Sequence, residues 1–534
     1  MKIAAPVVDT DAIEARYAAL ESALGERDST ISQLQAQLHN TQAQLDWFKQ
    51  QLFGQKSERR PDISPDQLAL FNQWAATETP SAAPSIEVPA HTRRTTQRNG
   101  DEVNGQGLRF DEGVPVVDVE LSCEELKGAD AEQYEIIAWK ESSRLAAEPG
   151  TTVVMRYRRP VVKRKDSGEL HTVPAPIGPL GHAQADVSFL AQMVVDKFSY
   201  HCPLYRQHQK LEAEGVTLAR SALTQWAHQS IALLTPIAQA VMAGILAGSH
   251  IKIDETPIKA GCGKKKRDGR GTMKQGWFWP VLGEDGSIAF HFSPSRGQQV
   301  VLDLIGESFS GTLQSDGYAV YARYAAAHDT ITHALCWSHT RRQFLRAEQS
   351  DPEDIAHILT LIKALYAVEA ELRHGKADTE KIMQTRTTRS QAIVEAIFEW
   401  IQAQRQRPEL LPKSPLANAL NYAAEREAGL RVFIKDPIVD LDTNDLERAL
   451  RVIPMGKKNW LFCQGEVGAE HVATIQTLLA SCRAHGINPY DYLVDVLQRI
   501  DVHPAKDVAQ LTPARWKEMF AAQRMVSPLA AAKG

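Results

Sequence analysis

The chain has 534 residues, 43% hydrophobic and 23% charged, close to the average of soluble globular proteins. That length allows about three or four domains around a large core, and it excludes a disordered or fibrous protein. The net charge of −5 excludes a uniformly basic nucleic-acid binder but leaves room for local basic surfaces.

Acids at Asp9 and Asp11 follow the start of the chain, with no apolar signal core. Residues 1–60 carry heptads: Ile13, Tyr17, Leu20, Leu24, Ile31, Leu34, Leu38, Leu45, Phe48 and Leu52 recur at alternating steps of three and four. So narrow a seam predicts a coiled coil and a homo-oligomer, a dimer in the simplest case. Residues 61–114 read as a linker, with Pro61, Pro65, Pro80, Pro84 and Pro89 among small and polar residues. Residues 115–182 hold short β-like runs. One of them carries Arg156, Arg158, Arg159, Lys163, Arg164 and Lys165, a basic ribbon that suits phosphates or a solvated strand face equally.

Residues 183–249 predict helices. One opens at Pro203 and stops at Gly215, a second starts at Ser221, and the pair is spaced like a helix-turn-helix or like plain helix packing. The apolar run from Ile231 to Gly248 nearly reaches membrane-span length, but Thr235, Pro236 and Gln239 interrupt it, which favours a buried helix and no membrane partner. Cys123, Cys202, Cys262, Cys336, Cys463 and Cys482 lie far apart with no Cys-x-x-Cys pair. This argues against a disulfide framework or a cysteine-rich zinc knuckle and suits a reducing, cytoplasmic compartment. Strand signals fill residues 250–349 and helical patterns fill 350–436. A polar start leading into a helix follows in 437–480, and residues 481–534 form a tail, so the fold class is α/β with a helical interruption.

Three carboxylates stand out by position. Asp254 ends IKIDETPI on the side away from Ile251 and Ile253, Asp316 ends the strand-like GTLQSDGY, and Glu447 sits one turn into a helix beginning near Asn444. Carboxylates on strand ends and a helix turn can meet above a sheet and hold hard cations. Each has a plain alternative: Asp is a common turn former, and Asn444 with Glu447 spells a capping box. Glu255, Asp442 and Asp445 are competing acids alongside.

IDETPI, LQSDGYAVY, CWSHTRRQF, NDLERALR and GKKNWLF, in this order, resemble the Insertion Sequence 66 family of bacterial transposases. LDWFKQQLFGQKSER, KFSYHCPLYRQHQKLEAEGVTLARSALTQW and INPYDYLVDVLQRI extend the resemblance over most of the chain. It implies a ribonuclease-H-like core, its first part in 250–349 and its second in 437–480, split by an all-helical insertion. It also implies a DDE active site of Asp254, Asp316 and Glu447. These residues would bind two Mg²⁺ (or Mn²⁺) ions, which in such sites stand about 3.5–4 Å apart and activate water or a 3′-hydroxyl. Cys336 and His339 match a Cys-x-x-His of related families; two ligands are too few for zinc, and none is expected. The cysteine-rich segment of many relatives is reduced here to Cys123, so residues 115–182 would be a degenerate, zinc-free unit.

The resemblance points to transposon ends and target DNA as partners, with accessory proteins of the element assisting. The expected DNA contacts are the basic ribbon, the loop with Lys264, Lys265, Lys266, Arg267 and Arg270, the helix start with His339, Arg341 and Arg342, and the cluster Lys457, Lys458, Asn459 and Trp460. The expected function is cleavage at element ends followed by strand transfer. The alternatives are a ribonuclease-H-like nuclease without strand transfer and an inactive DNA-binding relic.

Overall fold

The computed structural model describes residues 109–533, apart from 111, 129, 149–150, 182, 263–271, 461–462 and 464, together with Arg27. The expected coiled coil, nearly all of the linker and the loop with Lys264, Lys265, Lys266, Arg267 and Arg270 lie outside the described residues.

After the two-residue β1 (Arg109–Phe110), a small sheet forms from β2 (Val116–Glu120), β3 (Tyr134–Glu148), β4 (Thr151–Arg164) and β5 (Leu170–Thr172). β4 is its axis: β3 runs antiparallel along one edge, while β2, in parallel, and β5, antiparallel, share the other edge. Val153, Met155 and Tyr157 alternate inward on β4 and pack with Leu529.

Helices follow. α1 (Val187–Phe198) is capped by Asp186, which accepts from Ser188 N at 3.0 Å. α2 (Leu204–Ala213) ends before Gly215, whose φ of +86° lets the chain reverse into β6 (Val216–Thr217), the partner of β1. α3 (Arg220–Leu246) is long and apolar enough to cross a membrane by length and composition. Its buried side chains, among them Leu223, Ala227, Ile231, Leu234, Ile237 and Val241, recur at helical spacing and belong to the main core.

The central sheet is built from β7 (His250–Ile253), β8 (Thr256–Cys262), β9 (Met273–Gly283) and β10 (Ile288–Ser293), then β11 (Gly311–Ser315) and β12 (Ile331–Leu335). α4 (Gln298–Ile305) and α5 (Ala319–Ala326) connect the later strands. The order is β10-β9-β7-β11-β12, with β8 also on β9. β9 and β10 are antiparallel neighbours, whereas β11 and β12 run parallel to β7, so the first strand in sequence is central in space. All four β7 residues are buried.

α6 (Trp337–Leu345) leads into a helical block: α7 (Pro352–His374), α8 (Thr379–Thr385), a π-helical turn at Arg386–Ser390, α9 (Gln391–Arg405), α10 (Pro415–Ala424), α11 (Glu427–Leu430) and α12 (Val432–Lys435). The block has its own core, in which Ile358, Ile362, Leu365, Ile397, Phe398 and Leu420 pack with Trp337. The chain then returns through α13 (Asn444–Leu450) and α14 (Val452–Trp460) to α15 (Glu466–Ala484), α16 (Pro489–Arg499), α17 (Pro513–Met519) and α18 (Pro528–Lys533). α15 runs unbroken through the boundary expected at 480/481. Thr477 and Ser481 on it accept the Phe290 and Ile288 backbone N–H groups, at 2.9 and 3.0 Å, which closes the open edge of β10.

Arg386 holds the block together. It is 3% exposed, forms a two-pronged bond with Glu369 and donates to the carbonyls of Phe433 and Asp436. Glu369→Ala should therefore leave a buried cation unpaired and destabilise the block by about 3–5 kcal/mol. Hydrogen exchange across α7–α9 would read the loss, and the double change Arg386→Met with Glu369→Leu should recover most of it. A loss below about 1 kcal/mol would show that the pair does not carry the block.

Candidate active site

Asp254 directly follows β7 and Asp316 directly follows β11. The two strands are parallel neighbours with Lys252 opposite Gln314. Continuing that register by two residues aligns Asp254 with Asp316 at neighbouring strand ends. Glu447 comes from the first turn of α13. With Asp254, His339, Arg342 and Arg451 it lines a cavity of about 260 Å³.

The capping-box reading of Asn444 and Glu447 fails in the structure. Thr443 occupies the N-cap with no side-chain cap bond, and Asn444 Nδ2 donates to Asp442 Oδ2 at 2.6 Å. Glu447 Oε1 is buried without a hydrogen-bond partner. His339 Nε2 and Arg342 Nη2 each stand 3.6 Å from the Glu447 carboxylate, beyond hydrogen-bond range.

The competing acids are engaged elsewhere. Glu255 is held by Arg296 and by the hydroxyl of buried Tyr321. Asp442 receives Asn444 through both its backbone N and its side chain. Asp445 pairs with Lys252 at 2.6 Å. The trio differs: Asp254 Oδ1 accepts only from the next backbone N–H, and Asp316 Oδ1 accepts from Tyr318 N at 2.8 Å in a two-residue turn.

Burial, then the charges of Glu255, Asp316 and Glu447, pushes the Asp254 carboxyl up to about 7. The same groups thus crowd one another electrostatically. His339 shifts the other way: burial lowers its pKa, and the pull of Asp316 and Glu447 opposes this only in part. Among the described residues no three His, Cys, Asp or Glu side chains are drawn together closely enough to hold a metal ion as they stand. The chemistry of the three carboxylates nevertheless suits a hard divalent cation. Their donor atoms are all oxygen, they repel one another, and one buried carboxylate oxygen has no partner. Asp254, Asp316 and Glu447 are the residues that could hold such an ion.

Sequence reasoning missed the groups that hold this geometry. Lys252, only 4% exposed, bonds Asp440 at 2.5 Å and Asp445 at 2.6 Å, tying the segment that carries Glu447 to the strand that carries Asp254. Gln314 Nε2 donates to Asp440 O at 2.7 Å, Trp337 N to Leu441 O at 3.0 Å, and Thr443 N to Cys336 Sγ at 3.4 Å. Gly317 has no room for a side chain: a Cβ there would lie 2.3 Å from the Tyr422 hydroxyl and 2.6 Å from Arg426 Nε, both from the helical block. In the sequence Lys252 shows only as a polar residue on the Asp254 side of IKIDETPI, with nothing to mark the distant carboxylates that pair with it.

The remaining expected contacts are scattered. In the ribbon Arg156 faces Asp118 at 3.5 Å, Arg158 faces Glu120 and Glu141 at 3.1 and 3.5 Å, and Arg164 faces Asp166 at 2.8 Å. Arg159 and Lys165 donate to the carbonyls of Val173 and Glu132, and Lys163 lies half-buried on β4. Arg341 is exposed on α6. Lys457 donates to Pro257 O at 3.1 Å, Lys458 and Asn459 are exposed, and the Trp460 indole folds over Gly456.

The sequence model of a family described as "Transposase IS66 family" matches residues 182–471, more than half of the chain. The chain belongs to the IS66 family of transposases. All three carboxylates of this family member fall within that match. The models "IS66 C-terminal element" and "Transposase C of IS166 homeodomain" match residues 477–514 and 41–119. The uncharacterized protein y4qI of Sinorhizobium fredii (strain NBRC 101917 / NGR234) is 30% identical over 399 residues, 72% of each chain. The uncharacterized protein y4jD of the same strain is 26% identical over 512 residues, 91% of this chain and 96% of its own. A chain in the Drosophila P element transposase strand transfer complex aligns with 66% of this chain and 91% of its own, at 11% identity and a TM-score of 0.20.

The electrostatics predict a pH signature for the transposase. A carboxyl raised to about 7 binds its proton more tightly folded than unfolded. Folding therefore carries no penalty from Asp254 below its unfolded value near 4. The penalty grows as pH rises and is complete above about 7. Asp254→Asn should raise the melting temperature of the metal-free protein at pH 8 and leave it nearly unchanged at pH 4.5. Calorimetry showing equal shifts at both pH values would contradict a buried charge at this position.

Proposed function

We propose that this transposase cuts phosphodiester bonds at the ends of its element and joins the resulting 3′-hydroxyl to target DNA, on a ribonuclease-H-like core interrupted by a helical insertion. The observation that carries this reading is the position of Asp254 and Asp316 on adjacent parallel strand ends, with Glu447 lining a cavity beside Asp254, while every competing acid nearby is already partnered. A mixed sheet with its first strand at the centre supports the same core.

Asp254, Asp316 and Glu447 would hold Mg²⁺ or Mn²⁺, which supplies a nucleophilic oxygen and offsets charge on the scissile phosphate. The chain's own residues do the rest. Arg342 and Arg451 line the cavity and would meet the phosphate oxygens. His339, in the first turn of α6, lines the cavity 3.6 Å from Glu447 and would face that carboxylate across it. Lys252 fixes the approach of α13 from below.

Asp254→Asn, Asp316→Asn and Glu447→Gln should each reduce Mg²⁺-dependent cleavage of element-end DNA by at least about a hundredfold, while DNA binding stays near wild type and none of the three variants melts below wild type. Lys252→Met should cost about tenfold to a hundredfold in cleavage. Asp440 and Asp445 remain half-exposed to water, so that change strands no buried charge. Full strand transfer by any one of the three carboxylate variants would remove that residue from the site. Cleavage with no joined product from the wild-type protein would favour a nuclease without strand transfer.

Self-association through residues 10–53 belongs to the same proposal, on the strength of the apolar seam from Ile13 to Leu52. Leu34→Lys with Leu38→Lys should lower the mass read by light scattering toward that of one chain. An unchanged mass would assign assembly to another surface.

A further inference from the structure

A second and larger opening lies at the far end of α14. Pro454 on this helix borders the carboxylate cavity, and Asn459 and Trp460 border a cleft of about 870 Å³. Six residues of helix separate the two, roughly 9 Å at 1.5 Å per residue. α2 and the start of α3 form one wall of the cleft, and the end of α14 and the start of α15 form the other.

Charge in the cleft runs against the protein as a whole. Lys197, Arg206 and Arg220 line it beside His228 and His471, which bond each other and which burial keeps toward the neutral form, and among the described residues no carboxylate lines it, although the chain carries a net −5. Two aromatic faces complete it. Trp460 lies on one wall; Tyr205, 49% exposed, lies on the other with the Arg220 guanidinium 4.7 Å from its ring centroid. Trp460 is half-buried against the core and Tyr205 is exposed, and cations interleaved with such rings suit a chain of phosphates bearing unstacked bases. A duplex offers no free base faces to such rings. The helix-turn-helix spacing of α2 and α3 points to duplex DNA, but Arg206 and Arg220 look into the cleft opposite α14 and α15.

We propose that this cleft binds an unpaired DNA strand, the stretch continuing from the phosphodiester held at the carboxylates, with bases against Trp460 and Tyr205 and phosphates on Lys197, Arg206 and Arg220. It rests on the reading of the carboxylate cluster as a DNA-cutting site. The cleft would hold strand ends apart beside that site.

The test uses the full chain carrying Asp316→Asn, so that binding is read without cutting, with labelled single-stranded oligonucleotides, duplexes of the same sequence and free deoxynucleoside monophosphates. Trp460→Leu should weaken single-strand binding by about fivefold to a hundredfold. Arg206→Gln with Arg220→Gln changes two exposed side chains, so folding is preserved. It should weaken single-strand binding and flatten its salt slope by about 1.4. Duplex binding should hold within about twofold in both variants. The proposal fails if the exposed-arginine variant binds single strands as before, if duplex binding falls equally, or if monophosphates alone compete at the affinity of the oligonucleotide. These readings do not depend on catalysis. Loss of single-strand binding in a chain whose wild type cuts no DNA would overturn the cleavage reading and leave the cleft standing.

Discussion

Lys252 is a cation in the central strand of the sheet, with both faces of that strand covered. A lysine in such a place costs several kcal/mol unless it is paired, and its two partners come from far along the chain. Burial alone would lower its pKa, yet the carboxylates of Asp440 and Asp445 outweigh burial and hold the pKa above its ordinary value. The ion pair therefore links sheet formation to the docking of residues 440–445. The strand that ends in Asp254 cannot be comfortably buried until the segment leading to Glu447 has arrived. Folding of the core and assembly of the carboxylate cluster thus share one electrostatic condition.

The helical block serves that condition. It could have been a decoration on a loop, since it has a core of its own. Its contacts argue otherwise. Arg386 donates to the carbonyls of Phe433 and Asp436, where the block ends and the return segment begins. The Trp337 indole donates to Leu430 O at 2.9 Å, joining the start of α6 to the end of the block. Tyr422 and Arg426 close over Gly317, one residue after Asp316, and Arg426 donates to the Gly317 carbonyl at 3.2 Å. Gly429 packs likewise on Leu335 at the end of β12. The insertion therefore buttresses both the second carboxylate and the route to the third.

Much of this was legible in the chain. Alternation in IKIDETPI turned Asp254 away from the isoleucine face, and the glycine after Asp316 ended its strand. Periodicity separated sheet from helical block because strand and helix repeats differ. Gly215 marked the end of α2. Other features were not legible because they depend on partners distant in sequence. Asn444 and Glu447 carry the letters of a capping box, and only the fold shows that Thr443 takes the cap while Asn444 turns back to Asp442. The alternation that freed Asp254 also turned Lys252 outward, toward water by the simplest reading. In the folded chain the return segment covers that face. The basic ribbon likewise read as open charge, and the carboxylates of Asp118, Glu120 and Glu141 face it from neighbouring strands.

Charge is thus distributed unevenly for a purpose that net charge conceals. Paired arginines on the small sheet exert little field beyond a few ångströms, because each is offset locally and salt screens the remainder. The cations without a carboxylate in their cleft, at Lys197, Arg206 and Arg220, lie at one end of α14, and the crowded anions lie at the other. On the proposed reading, a polyanion would be drawn to the cleft and opposed at the metal-free carboxylates, where, among the described residues, only Arg342 and Arg451 offset their charge. Cation binding at the carboxylates would cancel that repulsion and open a continuous path along α14. On the same reading, grip and chemistry would be separable, because the cations of the cleft and the three carboxylates belong to opposite ends of α14.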